Sequence, residues 1–265
     1  RDRSVSRGLG DVYKRQTGIC DGMVLKDPRY IEVPSRNYIA DQVEMTVEGN
    51  FFDGMVMLST CDSIVPGHLM GAARINIPTI LVTGGYMPLG QCRGKEVVHI
   101  HAQDKVGTAK AGKMDMEEYN ELISKSWGIC GACTSMTTAN SMCMIAEALG
   151  MTMPGNSSVS AVSSQLYLMA YQAGIQIVSL VAKDIRARDI ITVESLKNAI
   201  RMDMAVAASS NLILHIPAIA NEAGYDLPWW KYFDEASSQV PLLSHLAPSG
   251  PYSLKDFDLA GGMPA

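Results

Sequence analysis

The chain has 265 residues, of which 47% are hydrophobic, and a formal net charge of −5 at pH 7. This length and composition suit a globular protein with a substantial core. The acidic balance leaves no basic surplus to hold phosphate backbones or anionic lipid, so we expect neither a nucleic-acid nor a membrane partner. No secretory signal pattern and no unbroken run of about 18 apolar residues occurs, which predicts a cytoplasmic protein.

The first 16 residues, RDRSVSRGLGDVYKRQ, differ in character from the rest of the chain. They include no initiator methionine, carry five basic residues and show little apolar periodicity. We predict that residues 1–16 are a non-native leader, with a disordered native tail as the alternative. Residues 17–265 then form one domain, because no repeat or low-complexity linker interrupts them.

The first regular elements predict an α/β protein. Apolar residues at Ile39, Val43 and Val47 predict a helix that begins near Ser35. The short apolar runs GMVMLST and PTILVTGG predict two buried parallel strands, and PGHLMGAARIN between them predicts a short helix. Strand, helix and strand in this order indicate a right-handed parallel unit. We therefore predict a three-layer α/β/α arrangement with a largely parallel sheet.

The rest of the chain is predicted to be mostly helical. VVHIHAQD is the exception, since its alternation predicts a strand with His99 and His101 on one face, either as a metal pair or as ordinary surface or core histidines. Cys143 falls on the apolar stripe of a predicted helix over residues 135–149 and is expected to pack in the core. Further helices are predicted over residues 116–127, about 158–183, 193–208, 211–224 and 229–239.

Cys61 and Asp62 stand side by side at the end of the first predicted strand. In parallel α/β sheets ligands gather at the carboxyl ends of strands. A thiolate and a carboxylate at such an end could serve two different metals, because sulfur suits iron or zinc and oxygen suits magnesium. The alternative is a buried cysteine beside a helix-capping aspartate, and the two residues alone do not decide between them.

Cys130 and Cys133 form a CxxC pair before a predicted helix. Three interpretations remain open: a thioredoxin-like redox pair, a zinc knuckle, or a cysteine that joins Cys61 as an iron-sulfur ligand. The sequence contains no second CxxC, which weakens the zinc interpretation. Asp21 lies in GICDGM, where an Asp-Gly pair is more often a turn than a site.

Several segments taken together resemble the dihydroxy-acid dehydratase and phosphogluconate dehydratase family. The resemblance covers residues 17–265, in matching order and spacing, and it is carried by GICDGM, VPSRNYIAD, CDSIVPGHLMGAARINIPTILVTGG, CGACTSMTTANSMCMIAEALGMTMPGNSS and RDIITVESLKNAI. The resemblance implies a hydro-lyase that converts a 2,3-dihydroxy acid, either branched-chain or a sugar acid, into a 2-keto acid. The small-molecule dihydroxy acid would be its partner, and a homodimer its assembly.

The resemblance also implies cofactors and their ligands. An iron-sulfur cluster, of the 2Fe-2S type with 4Fe-4S as the alternative, would be held by Cys61 and Cys133. A magnesium ion would be held by Asp21, Asp62 and the residue after it, which is Ser63 here. The family commonly has a carbamylated lysine at that last position, so this chain offers a neutral hydroxyl where the family offers an anionic oxygen.

Two further departures concern parts of the family that this sequence does not contain. A third cluster cysteine normally lies upstream of GICDGM, and the proton-accepting serine and a magnesium-binding glutamate normally lie in a C-terminal β-rich domain beyond the position of Ala265. We therefore predict that the chain is an N-terminal domain fragment, incomplete at both ends and inactive alone. The alternative is a non-catalytic metal- or redox-binding module centred on Cys130 and Cys133.

Overall fold

A short parallel sheet forms the centre of the computed structural model, which describes residues 33–127 and 129–265. Strand β1 (Met55–Ser59) pairs in parallel with β2 (Thr79–Thr83), and the register places Ser59 beside Thr83. A single parallel bridge from Leu81 to Thr152 extends the sheet beyond β2. The structure confirms both predicted strands, which end at Ser59 and Thr83.

Helix α2 (Ile64–Ile75) connects the two strands, as predicted, and α1 (Ser35–Asn50) packs across it. Gly67 makes this crossing possible, because a Cβ there would lie 2.8 Å from the Ile39 side chain. A glycine at such a contact lets two helix backbones approach closely. Ser35 differs slightly from the prediction, since it is the first helical residue of α1 and Pro34 occupies the N-cap position.

A hairpin and two helices follow β2: β3 (Gly90–Cys92), β4 (Lys95–Val97), α3 (His99–Lys110) and α4 (Met116–Ser126). The strand predicted for VVHIHAQD is wrong, because β4 ends at Val97 and His99 begins α3. His101 accepts a hydrogen bond from the Val98 backbone N–H through Nδ1, at 3.2 Å, and so closes the first turn of the helix. His99 is buried while His101 is exposed, so the two imidazoles do not form a metal pair.

The remaining described chain contains mainly helices, as predicted, although the helix predicted from about residue 158 begins at Ser164. A 3₁₀ turn covers Asn156–Ser158, and the helices are α5 (Thr138–Ala148), α6 (Ser164–Lys183), α7 (Ala187–Ile190), α8 (Val193–Val206), α9 (Leu212–Glu222), α10 (Trp229–Gln239) and α11 (Leu254–Leu259).

Helices cover both faces of the sheet. On one face, Met55, Met57 and Leu81 join the main core with residues of α1, α2, α5, α8, α9 and α10. On the other face, Ile80 and Val82 pack against α6. Successive side chains of the parallel strands point to opposite faces, and the helices on both faces give the three-layer arrangement that was predicted.

Candidate functional site

The carboxyl ends of β1 and β2 lie side by side and define one edge of the molecule. Beyond the last paired residues, the Gly84 backbone N–H donates to the Ser59 carbonyl at 3.1 Å. A Cβ at Gly84 would overlap the Thr60 side chain, so this position requires a glycine. The two strands therefore leave the sheet in close contact, and the residues that follow them share one environment.

Cys61, Asp62 and Ser63 form the turn from β1 into α2. Cys61 has a φ of 91°, in a region that non-glycine residues adopt at a cost of order 1–3 kcal/mol. Cys61 is half-buried, whereas Asp62 and Ser63 are only 4% and 1% exposed. Ser63 occupies the N-cap position of α2. The thiol and the carboxyl thus lie at a helix N-terminus, where the helix dipole favours anionic groups.

A buried hydrogen bond between Ser59 and His68 braces this turn from below. Ser59 Oγ lies 2.7 Å from His68 Nδ1 and joins the end of β1 to the second turn of α2. Burial lowers the pKa of His68 to about 4, so the imidazole is neutral at physiological pH. The brace therefore adds no charge beneath the Cys61–Asp62 turn.

The loop that carries Cys133 is fastened to the exit of β2. The Ala132 N–H donates to the Gly85 carbonyl at 2.8 Å, and the Met87 N–H donates to the Ala132 carbonyl at 2.8 Å. Gly131 has a φ of 123°, and a Cβ there would lie 2.6 Å from the Met87 nitrogen. The structure therefore brings Cys133 to the same sheet edge as Cys61 and Asp62.

The two cysteines of the CxxC pair have different surroundings. Cys130 is exposed and Cys133 is half-buried, and neither forms a disulfide with another cysteine of the described chain. Helix α5 begins only at Thr138, so neither thiol lies at its first turn. A thioredoxin-like pair depends on a thiolate at a helix N-terminus, and this geometry does not provide one.

Asn140 holds the Cys133 loop, a role that was not predicted from the sequence. Its side-chain amide donates to the Cys133 carbonyl and, at 2.9 Å, to the Ser135 carbonyl. Asn140 is 1% exposed, and its Oδ1 and the Ser135 Oγ are buried without a hydrogen-bond partner within the described chain. Buried polar atoms of this kind call for an explanation such as a bound group. The signal in the sequence was an asparagine on an otherwise apolar helical stripe.

His99 fixes the other side of the same loop. Its backbone N–H donates to Thr134 Oγ1 at 3.0 Å, and its Nδ1 lies 3.0 Å from the same oxygen. The imidazole also packs at 5.8 Å from the Trp127 ring. Burial, with a smaller effect of His101, lowers the pKa of His99 and favours its neutral form. His99 therefore supports the residue next to Cys133.

Cys143 is buried in the core close to the same edge, which confirms the prediction that it packs there. Burial raises the pKa of the Cys143 thiol to about 12. A hydrogen bond with Thr83 opposes this increase in pKa, and the Asp62 charge adds to it. The thiol therefore stays protonated, which makes it a poor metal ligand.

The segment AVAASSN, residues 205–211, packs on the start of α5. Ser209 Oγ lies 2.9 Å from Thr138 Oγ1, and the Asn211 side chain donates to the same Thr138 oxygen at 2.9 Å. The Ser209 N–H donates to Ser141 Oγ at 3.0 Å. This segment therefore supports the helix that carries Asn140.

The donors at this edge match two kinds of metal in chemical type. Two half-buried thiols, Cys61 and Cys133, suit iron, and the buried Asp62 carboxyl suits magnesium. Among residues 33–127 and 129–265, no group of three or more His, Cys, Asp or Glu side chains is arranged to hold a metal ion. Asp21, the other predicted magnesium ligand, lies outside the described residues, as do residues 1–16. The described residues therefore supply ligands of the right chemical type for iron and magnesium, as part of a larger ligand set.

Comparison with known proteins supports the resemblance. The family model described as dihydroxy-acid/6-phosphogluconate dehydratase N-terminal matches residues 6–265. A protein named dihydroxy-acid dehydratase from Maridesulfovibrio salexigens is 44% identical over 248 residues, which cover 93% of this chain and 44% of that protein. One with the same name from Methanospirillum hungatei is 44% identical over 266 residues, covering 98% of this chain and 48% of that protein.

The fold and the edge together define an α/β protein with thiol and carboxyl groups gathered at the carboxyl ends of parallel strands. The family match extends over nearly the whole sequence. The chain belongs to the dihydroxy-acid/6-phosphogluconate dehydratase family and corresponds to its N-terminal domain. It spans about half the length of the curated relatives it matches.

Proposed function

We propose that the chain is the N-terminal part of a hydro-lyase that removes water from a 2,3-dihydroxy carboxylic acid to give a 2-keto acid. The observation that carries the proposal is the shared sheet edge, where the Cys61–Asp62 turn and the anchored Cys133 loop meet. The relatives are named dihydroxy-acid dehydratases, and as substrate we propose a branched-chain dihydroxy acid rather than a sugar acid. We further propose that the protein acts in branched-chain amino acid biosynthesis, in the cytoplasm.

The reaction loses one proton and one hydroxide and requires no external oxidant. The C2–H bond breaks and leaves its electron pair in a new C2–C3 double bond, while the C3–OH bond breaks and the hydroxide leaves as water. The resulting enol takes up a proton at C3 and becomes the 2-keto acid. When bound, an iron-sulfur cluster and a magnesium ion supply Lewis acidity at the 3-hydroxyl and charge neutralisation at the substrate carboxylate.

Each described residue has a separate task in this proposal. Cys61 and Cys133 would hold the cluster through their sulfur atoms. Asp62 would hold magnesium together with Asp21, and Ser63 would contribute a neutral oxygen. Because Cys61 and Asp62 are adjacent on one turn, ligands for both metals would come from the same short segment of the chain.

Protein groups around the turn limit side reactions. Asp62 and Ser63 are buried, so bulk water reaches the magnesium side poorly. Cys143 stays neutral because its pKa is raised to about 12, and His68 stays neutral because its pKa is lowered to about 4. Neither group therefore competes for the metals as an anion or repels them as a cation.

Turnover by the complete reading frame that contains this segment tests the function. We expect 2-keto acid from a branched-chain 2,3-dihydroxy acid under anaerobic conditions, detected as its dinitrophenylhydrazone. Cys61→Ser should lower kcat/KM by at least about 100-fold, at the upper end of the losses seen for groups that support metal ligands. Cys130→Ser is the matched control, since Cys130 is exposed, and should stay within about threefold of the wild type.

Two results would contradict this function. One is the absence of keto acid from every dihydroxy acid supplied to an iron-loaded, full-length enzyme. The other is a loss of activity in Cys130→Ser that equals or exceeds the loss in Cys61→Ser, which would favour a centre on the CxxC pair. The 265-residue chain alone is expected to give no turnover, and measurable 2-keto acid from it would contradict the proposal that the site is completed elsewhere.

A further inference from the structure

Backbone N–H groups without a hydrogen-bond partner collect at the start of helix α5. The first bond of the helix runs from the Ser141 N–H to the Thr137 carbonyl at 3.0 Å. The three N–H groups before it, those of Thr138, Ala139 and Asn140, find no acceptor in the described chain, although all three residues are buried. Thr137 occupies the N-cap position but makes no capping hydrogen bond. Free N–H groups and the helix dipole together favour an anionic group at this place.

Three side-chain oxygens around the same helix start also lack a partner. Ser135 Oγ, Thr137 Oγ1 and Asn140 Oδ1 are buried and form no hydrogen bond with any other group in residues 33–127 and 129–265. Ser135 and Asn140 are each only 1% exposed, so bulk water does not satisfy them. Leaving a buried polar atom unpaired is costly, and three such atoms in one place point to a bound group.

The hydrogen bonds of Asn140 show that these oxygens belong to one site. Helical side chains tilt toward the N-terminus, and the Asn140 amide reaches back to the carbonyls of Cys133 and Ser135. Because Oδ1 is part of the same planar amide, it also lies at the start of α5. The Ser135 carbonyl accepts the Thr137 N–H at 2.8 Å, which folds Ser135 against the N-cap residue. Thr137 is half-buried, so solvent reaches the site at this residue.

The start of α5 lies beyond the sheet edge that carries the predicted metal ligands. The Cys143 thiol, in the second turn of α5, hydrogen-bonds to Thr83 at the end of β2. After the helix, the Met151 carbonyl accepts the N–H of Leu81, two residues earlier on β2, at 2.8 Å. Helix α5 therefore runs away from the carboxyl edge, and its first turn extends past the strand ends. Helices α2 and α5 both start at this edge, so both dipoles favour an anion there.

A carboxylate that carries a neighbouring hydroxyl satisfies all of these groups. The carboxylate has roughly four acceptor sites for the N–H and hydroxyl donors, whereas Asn140 Oδ1 only accepts and therefore requires a donor. We propose that the start of α5 binds the 2-hydroxycarboxylate end of the substrate. The free N–H groups, Ser135 and Thr137 donate to the carboxylate, and the 2-hydroxyl donates to Asn140. This inference rests on the proposed function, because it assigns a binding site to the dihydroxy acid named there.

Ordered water is the competing occupant of this site. A water molecule both donates and accepts hydrogen bonds, so it could satisfy the same oxygens. Water carries no charge, however, and leaves the attraction of two helix dipoles for an anion unused. The two occupants differ in what they predict for ligands, since a water site would distinguish neither a carboxylate from an amide nor a 2-hydroxy acid from a plain acid.

Equilibrium binding of three compounds that cannot undergo the dehydration tests the site without turnover. 2-Hydroxy-3-methylbutanoate has no 3-hydroxyl, 3-methylbutanoate also lacks the 2-hydroxyl, and 2-hydroxy-3-methylbutanamide lacks the negative charge. In titration calorimetry, the complete protein that contains this segment should bind the first compound at least about tenfold more tightly than either of the others. Each of the others loses a charge-assisted hydrogen bond or leaves Asn140 Oδ1 unpaired.

Two variants and one control assign the contacts. Thr137→Val is nearly isosteric and removes one hydroxyl donor, so it should weaken binding of the hydroxy acid about tenfold and affect the amide less. Thr192→Val changes the same residue type at the N-cap of α8 (Val193–Val206), where the side chain already accepts from the Ser195 N–H, and should leave all three affinities within about twofold. Asn140→Ala should abolish the preference for the 2-hydroxyl, which a ratio of two affinities reports even in a less stable protein.

The outcomes separate this site from the proposed function. Keto acid formation by a wild type that binds the three compounds equally would overturn the site and leave the proposed function standing. The expected binding preferences without keto acid formation would do the reverse. Equal effects of Thr137→Val and Thr192→Val, or a 2-hydroxyl preference that survives Asn140→Ala, would also overturn the site and leave ordered water as its occupant.

Discussion

Replacing Asn140 by alanine should loosen the loop that presents Cys133. The change removes the side-chain N–H donors to two carbonyls, that of half-buried Cys133 and that of buried Ser135. A buried group left unsatisfied costs about 1–3 kcal/mol, so two carbonyls cost roughly 2–6 kcal/mol. Removal of the unpartnered Asn140 Oδ1 offsets about 1–3 kcal/mol of this. The expected net loss in unfolding free energy is about 1–3 kcal/mol.

Urea denaturation of the 265-residue chain measures this loss, and Asn198→Ala is its control. Asn198 is an exposed helical asparagine whose side-chain oxygen accepts a hydrogen bond from Arg201 at 3.1 Å, so its replacement should change stability by less than about 0.5 kcal/mol. Asn140→Asp should be no more stable than Asn140→Ala, because a carboxylate would face two carbonyl oxygens. Equal stabilities for Asn140→Ala, Asn198→Ala and the wild type would refute the role assigned to Asn140.

Three further outcomes follow from the packing and protonation of buried groups. Gly131→Ala should lower the unfolding free energy by at least about 2 kcal/mol, because Gly131 has a positive φ and a close backbone contact. Gly107→Ala, in open space on α3, should raise it by about 0.5–1 kcal/mol. Equal effects of the two changes in denaturation would contradict this. Iodoacetamide at pH 8 should label exposed Cys130 and spare Cys143, whose pKa is raised to about 12, and rapid native labelling of Cys143 in peptide mass spectra would contradict its burial. Burial raises the pKa of Asp203 to about 7. The protonated carboxyl therefore stabilises the fold fully below about pH 4, and this stabilisation is lost as the pH rises to 7. The unfolding free energy of Asp203→Asn should rise by roughly 3 kcal/mol relative to that of the wild type over that interval, and a pH-independent difference would contradict this.

The sequence was most informative where local patterns decide the structure. Short apolar runs between turn residues predicted β1 and β2, and the segment between them predicted α2. The position of Cys61 and Asp62 at a strand end followed directly from these elements. The extent of the sheet could not be predicted, because the segment after α5 adds one bridge at Thr152 rather than a full strand.

The errors arose where distant contacts decide the structure. His99 and His101 alternate as in a strand, but the hydrogen bonds of His99 to Thr134 join residues 35 positions apart. The role of Asn140 likewise depends on how the Cys133 loop folds back onto α5. Such contacts leave no periodic signal in a single sequence. Asp21 and the boundary at residue 16 lie outside the described residues and stay predictions.

Iron and sulfide binding by the complete reading frame that contains this segment tests most directly whether the shared sheet edge is a metal centre. After anaerobic reconstitution, we predict that iron and acid-labile sulfide remain bound, with visible absorption from thiolate-to-iron charge transfer. Cys61→Ser and Cys133→Ser should each abolish that absorption, while Cys130→Ser and Asp62→Asn should retain it. A chromophore that survives Cys61→Ser but disappears in Cys130→Ser would contradict the assignment and place the centre on the CxxC pair.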